Sequence, residues 1–111
     1  MGRHRFAYNT NGMAHHRLEE AIALLAELDY TGVAITPDVH HLDPFSPHHQ
    51  DELATVRGLL ERHQLDSVIE TGARFNLDFR RKHYPSLMCP RDRHRRIDFL
   101  KRCLHIATDL G

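Results

Sequence analysis

The sequence predicts an α/β fold of about three βα units with parallel strands. Three observations carry that reading. Helix-period apolar stripes alternate with short β-branched runs, so the elements read β-α-β-α-β-α. The strands recur at roughly thirty residues, the length of one βα unit in a (β/α)8 barrel or a doubly wound sheet. Strand ends run into polar, ligand-competent residues, and ligands of both architectures bind at the carboxyl ends of parallel strands.

Arg5 to Tyr8 reads as the first strand, closed by Asn9-Thr10-Asn11-Gly12, a run that favours turns and positive φ. From His15 to Asp29, Leu18, Ala21, Ile22, Leu25 and Leu28 recur at three- and four-residue spacing among strong helix formers, and Gly32 is available to stop that helix. Gly32 to Pro37 is the second strand. A loop rich in Pro, Asp and Ser, Pro37 to Pro47, leads into a helix from His49 to His63 with Leu53, Val56, Leu59 and Leu60 inward. Asp66 to Thr71 is the third strand. Its exit runs from Gly72 to Pro90, and long connections in compact domains tend to carry function. The third helix starts near Asp92, an expected N-cap, and places Ile97, Leu100, Cys103, Leu104, Ala107 and Leu110 on one face.

No compositional linker divides the chain, so residues 1–111 read as one domain. A fold this small buries only about two thirds of its unfolded surface. Three strands alone would leave two unpaired edges, so the expectation is the opening part of a larger α/β domain or a chain that completes its sheet by association.

Fifteen basic and fifteen acidic residues cancel, which removes a global electrostatic argument for nucleic acid or membrane binding. The distribution is uneven: residues 74–102 hold ten basic side chains against Asp78, Asp92 and Asp98. Phe75, Phe79 and Tyr84 lie among them and would suit stacking on single-stranded nucleic acid, but no recognition motif accompanies them. The chain shows no apolar core of a signal peptide and no run long enough to span a membrane. Two cysteines, Cys89 and Cys103, lack CxxC spacing, so reduced thiols in a soluble, cytoplasmic protein are expected, with Cys103 in a core stripe. The eleven histidines show no zinc-finger spacing. There is no GxGxxG, P-loop, GxSxG or HExxH, which argues against the corresponding chemistries.

The candidate site residues sit after the strands. Thr36, Asp38 and His40 alternate, so they share one face if the second strand persists that far; Asp38 and His40 would then ligate a metal or act as a base and its orienting partner. Glu70 ends an apolar run, where a carboxylate must be hydrogen-bonded, ligating or paired, with Arg74 the nearest salt-bridge partner in sequence. Arg74, Lys82 and His83 suit a phosphate, since guanidinium binds it through paired hydrogen bonds and lysine adds a point charge. Their loop could fold over a ligand, whereas Arg80 and Arg81 read more simply as a solvated run. Asn9 and Asn11 either hydrogen-bond substrate hydroxyls or serve only the turn.

At RFAYNTNG, GVAITPDVHHLDPF and IETGARFNLDFRRKHYP the chain resembles the amino-terminal part of the sugar phosphate isomerase/epimerase proteins, the xylose isomerase-like TIM barrels. The resemblance runs through nearly all of the chain and implies the first three βα units of a partial (β/α)8 barrel. It implies a divalent metal (Mn, Mg, Zn or Co), with His40 as the early-strand ligand, and isomerisation or epimerisation of a sugar, sugar phosphate or cyclitol. Under this reading Glu70 and Asp38 are the expected catalytic groups, and Asn9, Arg74, Lys82 and His83 the expected substrate contacts. The principal metal ligands of such enzymes come from later strands. Two further readings stand beside this one: a non-catalytic sugar- or anion-binding module that closes its sheet by homo-oligomerisation, and a truncated product without independent function.

Overall fold

Among the described residues the apolar spacing closes into three helices and three strands. The computed structural model describes residues 4–111; the first three residues of the MGRHRF segment lie outside the described residues. Strand β1 (Ala7–Asn9) passes through one 3-10 turn (Thr10–Met13) to helix α1 (Leu18–Glu27); β2 (Gly32–Ile35) leads to α2 (His49–His63), and β3 (Asp66–Ile69) to α3 (Arg93–Leu110). The strands are parallel in the order β1-β2-β3, with Tyr8 level with Val33 and Ser67, and Asn9 level with Ala34 and Val68.

Level residues in a parallel sheet share a face. Val33 and Ile35 are fully buried among Leu18, Ala21, Ile22 and Leu25 of α1, Leu53, Val56 and Leu60 of α2, and Ile106 of α3, and Ile69 packs against the same cluster. All three helices therefore cover one face, as consecutive right-handed βα units require. The opposite face carries Ala7, Ala34 and Val68, and Val68 is 61% exposed. At its carboxyl end that face continues into Thr36 and Glu70.

The helix stops differ from the expected ones. Asp29, not Gly32, ends α1: it adopts φ 64°, its N–H donates to the Ala26 carbonyl, and the Tyr30 N–H reaches back to Leu25. Gln64 ends α2 in the same left-handed conformation. Aspartate and asparagine-like side chains enter this region more readily than branched ones, so a glycine is dispensable here. Gly32 serves the sheet instead. A Cβ there would stand 3.3 Å from both the Ala7 Cβ and the Asp66 carbonyl oxygen.

Helix α3 is rotated relative to the expected stripe. Its buried line is Arg96, Phe99, Cys103 and Ile106, while Ile97 and Leu104 are 40% and 66% exposed. Two apolar lines of helical spacing compete on this segment, and packing of Phe99 and Cys103 against Ala73 and Ile69 selects the second. Asp92 precedes α3 but does not cap it through its side chain; its carboxylate accepts the Tyr84 hydroxyl at 2.5 Å.

Candidate functional site

The exits of all three strands meet at one hydroxyl. Thr36 Oγ1 lies 2.9 Å from Asn9 Oδ1 and 2.7 Å from Glu70 Oε2. Its neighbours are held in place by backbone. The Asn11 N–H donates to Asn9 Oδ1 at 2.8 Å, which orients the Asn9 amide, and the Gly72 N–H donates to Glu70 Oε1 at 2.7 Å. The Thr36 N–H in turn donates to Thr10 Oγ1 at 3.0 Å, and both threonines are buried. A Cβ at Gly72 would stand 2.5 Å from Glu70 Oε1, so a side chain there would push the carboxylate from its present position.

Three donors serve this row: the Thr36 hydroxyl and the Asn11 and Gly72 N–H groups. A threonine hydroxyl carries one hydrogen, and here it faces an amide oxygen and a carboxylate oxygen, both of which only accept. The expected Glu70–Arg74 ion pair is replaced by this arrangement: Glu70 turns to Thr36 and to the Gly72 N–H, and it is in no ion pair among the described residues.

Beside the row lies a cavity of about 230 Å³ whose wall includes Thr10, Asn11, Thr36, Asp38, His40 and Arg74. Asp38 builds it. One carboxylate oxygen accepts the Val39 N–H and the other the Arg74 N–H, each at 2.8 Å, so the exit of β2 is tied to the exit of β3. Strand β2 ends at Ile35, and Asp38 and His41 pair as an antiparallel bridge, so the expected shared face of Thr36, Asp38 and His40 does not form. The chain reverses too tightly for extended alternation. His40 lies exposed at the tip of that reversal, and the buried member of the pair is His41, whose Nε2–H donates to the His16 carbonyl at 2.7 Å.

Of the predicted site residues, Asn9, Asp38, His40, Glu70 and Arg74 converge on this region, while Lys82 and His83 are not in the cavity wall. His83 shapes the loop. It adopts φ 59°, its N–H donates to the Arg74 carbonyl at 2.7 Å, and its Nδ1–H donates to the Ala73 carbonyl at 3.2 Å. Arg80 and Arg81 are exposed, yet they are not merely solvated. Arg80 lies over the Phe79 ring, and Arg81 pairs with Asp78 and stacks on Tyr84, 3.5 Å from the ring centroid. The Arg80 N–H bond to its side chain holds the Asp78 carboxyl below its usual value, and the hydrogen bond to Asp92 raises the Tyr84 phenol.

Sequence reasoning missed two residues that hold the site. Thr10 passed as a turn residue, and nothing in the NTNG run marks its burial. Arg96 lies among the ten basic side chains of residues 74–102, and nothing in that run marks it as buried. It is buried, donates from Nε to the Pro85 carbonyl at 2.7 Å and lies over Phe99; burial lowers its pKa. Cys103, on the same face of α3, has its thiol pushed up to about 11 by burial, as its place in the core implies.

The divalent metal of the resemblance does not find a ligand set in these residues. No three His, Cys, Asp or Glu side chains converge among the described residues. Both oxygens of Asp38 and of Glu70 already accept hydrogen bonds. Among the described residues, no helix is long and apolar enough to cross a membrane. Comparison with family models, with curated proteins and with solved structures returns no match.

Proposed function

We propose that this chain supplies the substrate-binding wall of a barrel enzyme resembling the sugar phosphate isomerases and epimerases, and that its ligand is a polyhydroxylated small molecule bearing an anionic group. One observation carries the reading. Three successive parallel strands deliver Asn9, Thr36 and Glu70 to one hydrogen-bonded row at their carboxyl ends. Ligand hydroxyls would donate to the second lone pairs of the Asn9 and Glu70 oxygens. Arg74, in the wall of the adjoining cavity, is placed for the anionic group, because its guanidinium has no carboxylate partner among the described residues.

In the assembled enzyme Glu70 is the carboxylate that would move a proton next to a carbonyl, with Thr36 and Asn9 fixing its orientation. Asp38 positions Arg74 through its N–H and is a structural support for the site. The metal, with His40 as one ligand, belongs to the same proposal but needs ligands beyond those assembled here, and no step is assigned to it. Cys89 and Cys103 are free thiols, which suits the cytoplasm of the proposal.

A titration of the isotope-labelled chain with an aldose phosphate and with the parent aldose, followed by amide resonances, tests this. Shifts confined to residues around Thr36, Asp38 and Arg74 are expected, stronger for the phosphate, with that preference lost in Arg74→Ala. Silence of these residues with both sugars would remove the reading.

A second reading, a non-catalytic sugar- or anion-binding module that closes its sheet with another copy of itself, is favoured by a separate observation. The outer edges of β1 and β3 are unpaired among the described residues, and the apolar Phe6, Val68 and Leu104 are each more than 60% exposed. Native mass spectrometry separates the two: a defined homo-oligomer supports self-closure, and a monomer at micromolar concentration excludes it.

A further inference from the structure

The chain's zero net charge conceals a local excess: residues 74–102 carry ten lysines and arginines against three aspartates. All three aspartates are engaged. Asp78 pairs with Arg81 and Asp98 with Arg102, each at 3.0 Å, and Asp92 accepts the Tyr84 hydroxyl. Arg80, Lys82, Arg91 and Arg93 are exposed and in no ion pair among the described residues. The loop after β3 that carries the first two is fixed in shape. The His83 N–H closes it on the Arg74 carbonyl, and Asp78 Oδ1 accepts the Arg80 and Arg81 N–H groups at its turn. Tyr84 through Asp92, and Leu77 through Arg95, fasten it to the start of α3, so loop and helix adjoin.

One constellation occurs twice on this surface. Arg81 is held by the Asp78 carboxylate and lies over Tyr84, 3.5 Å from the ring centroid; Arg102 is held by Asp98 and lies over Phe45, 4.5 Å from its centroid. Their side chains nonetheless stay 60% and 46% exposed. Each is a flat plate, fixed by a carboxylate, backed by a ring and open to solvent, and guanidinium planes stack on bases. Phe79, at the loop's turn, adds a ring that is 76% exposed, with Arg80 over it. Cations without carboxylate partners, interleaved with such platforms, suit a polymer whose charge recurs at each phosphate and whose bases are splayed. We propose that this surface binds single-stranded nucleic acid, with bases stacking on Phe79, Arg81 and Arg102 and phosphates meeting Arg80, Lys82, Arg91 and Arg93. The plates favour this partner over an anionic bilayer, because Arg81 and Arg102 are charge-neutralised and offer faces rather than protruding apolar groups.

Fluorescence anisotropy of the full chain with labelled oligothymidylate of about ten nucleotides, and with an abasic strand of equal length, tests the assignment at about 50 mM salt. Oligothymidylate is expected to bind at least tenfold tighter than the abasic strand, and both to weaken as salt rises. Phe79→Ala should weaken oligothymidylate by about tenfold and leave the abasic strand unchanged. Arg81→Lys keeps the charge and loses the plate, so it should act in the same direction. No binding of oligothymidylate, equal binding of the two strands, or capture by phosphatidylserine vesicles without any response to oligothymidylate would each overturn the proposal. Should a variant fail to fold, the two strands on the unaltered chain still decide, because they differ only in the bases.

Discussion

Thr36 Oγ1 stands 2.7 Å from Glu70 Oε2 and so joins the exit of β2 to the exit of β3 through a single proton. Asn9, at the end of β1, competes for it at 2.9 Å. Thr36→Val keeps the shape of the side chain and removes that proton. It leaves Glu70 Oε2 without its donor, while Asn9 Oδ1 keeps the Asn11 N–H, and is expected to cost about 1–3 kcal/mol in urea unfolding. Thr36→Ser should recover most of the loss. A neutral valine variant would show that water satisfies the Glu70 oxygen and that the row is not a unit.

Asp38 is expected to act as a staple between loops. Asp38→Ala deletes two hydrogen bonds to a charged acceptor, from the Val39 and Arg74 N–H groups, each worth about 1.5–3 kcal/mol at most in such settings. Hydrogen exchange reads the effect directly. The Arg74 and Val39 amides should exchange faster while the α2 amides keep their protection; unchanged exchange at Arg74 would refute the assigned role.

Cys103 gives a pH signature. Its thiol is raised from 9.0 to about 11 in the fold, so between those values the folded state holds a proton that the unfolded chain has released. Stability is thus full below pH 9 and falls as the pH rises toward 11, by on the order of 2–3 kcal/mol. Cys103→Ala should flatten that part of the profile. Alkylation at pH 8 offers a second readout: Cys89, half-buried, should be modified in the native chain, and Cys103 only after denaturation.

Arg96 anchors the loop that follows β3. Arg96→Ala loses the bond to the Pro85 carbonyl and the packing on Phe99, and should cost about 2–3 kcal/mol by thermal or urea unfolding. Lysine should restore less than half, because it lacks the planar fork that meets the carbonyl and the ring together. Full rescue by lysine would mean that charge alone matters at this position.

The expected βα order, the parallel pairing and the inward residues of α1 and α2 are seen except at Leu28, which lies past the end of α1 and is exposed, and α2 spans His49–His63 as its spacing implies. These follow from local rules: 3.6-residue periodicity and alternation are properties of the backbone that a stretch of sequence displays by itself. The polar residues at the strand ends were legible for the same reason, and Asn9, Asp38 and Glu70 do reach the site.

What the chain alone could not show is which of them touch. Thr36 meets Glu70 across 34 positions, and Asp38 meets the Arg74 N–H across 36, because strand register and the reversal at Asp38–His41 bring them together. The rotation of α3, which buries Arg96 and exposes Ile97, was decided by Phe99 seating against Ala73 and Cys103 in the second core cluster. Sequence by itself determined the elements and their order, since those depend on neighbours along the chain. Only the tertiary structure decided the hydrogen-bonded row and the buried arginine, since shared protons and desolvation depend on neighbours in space.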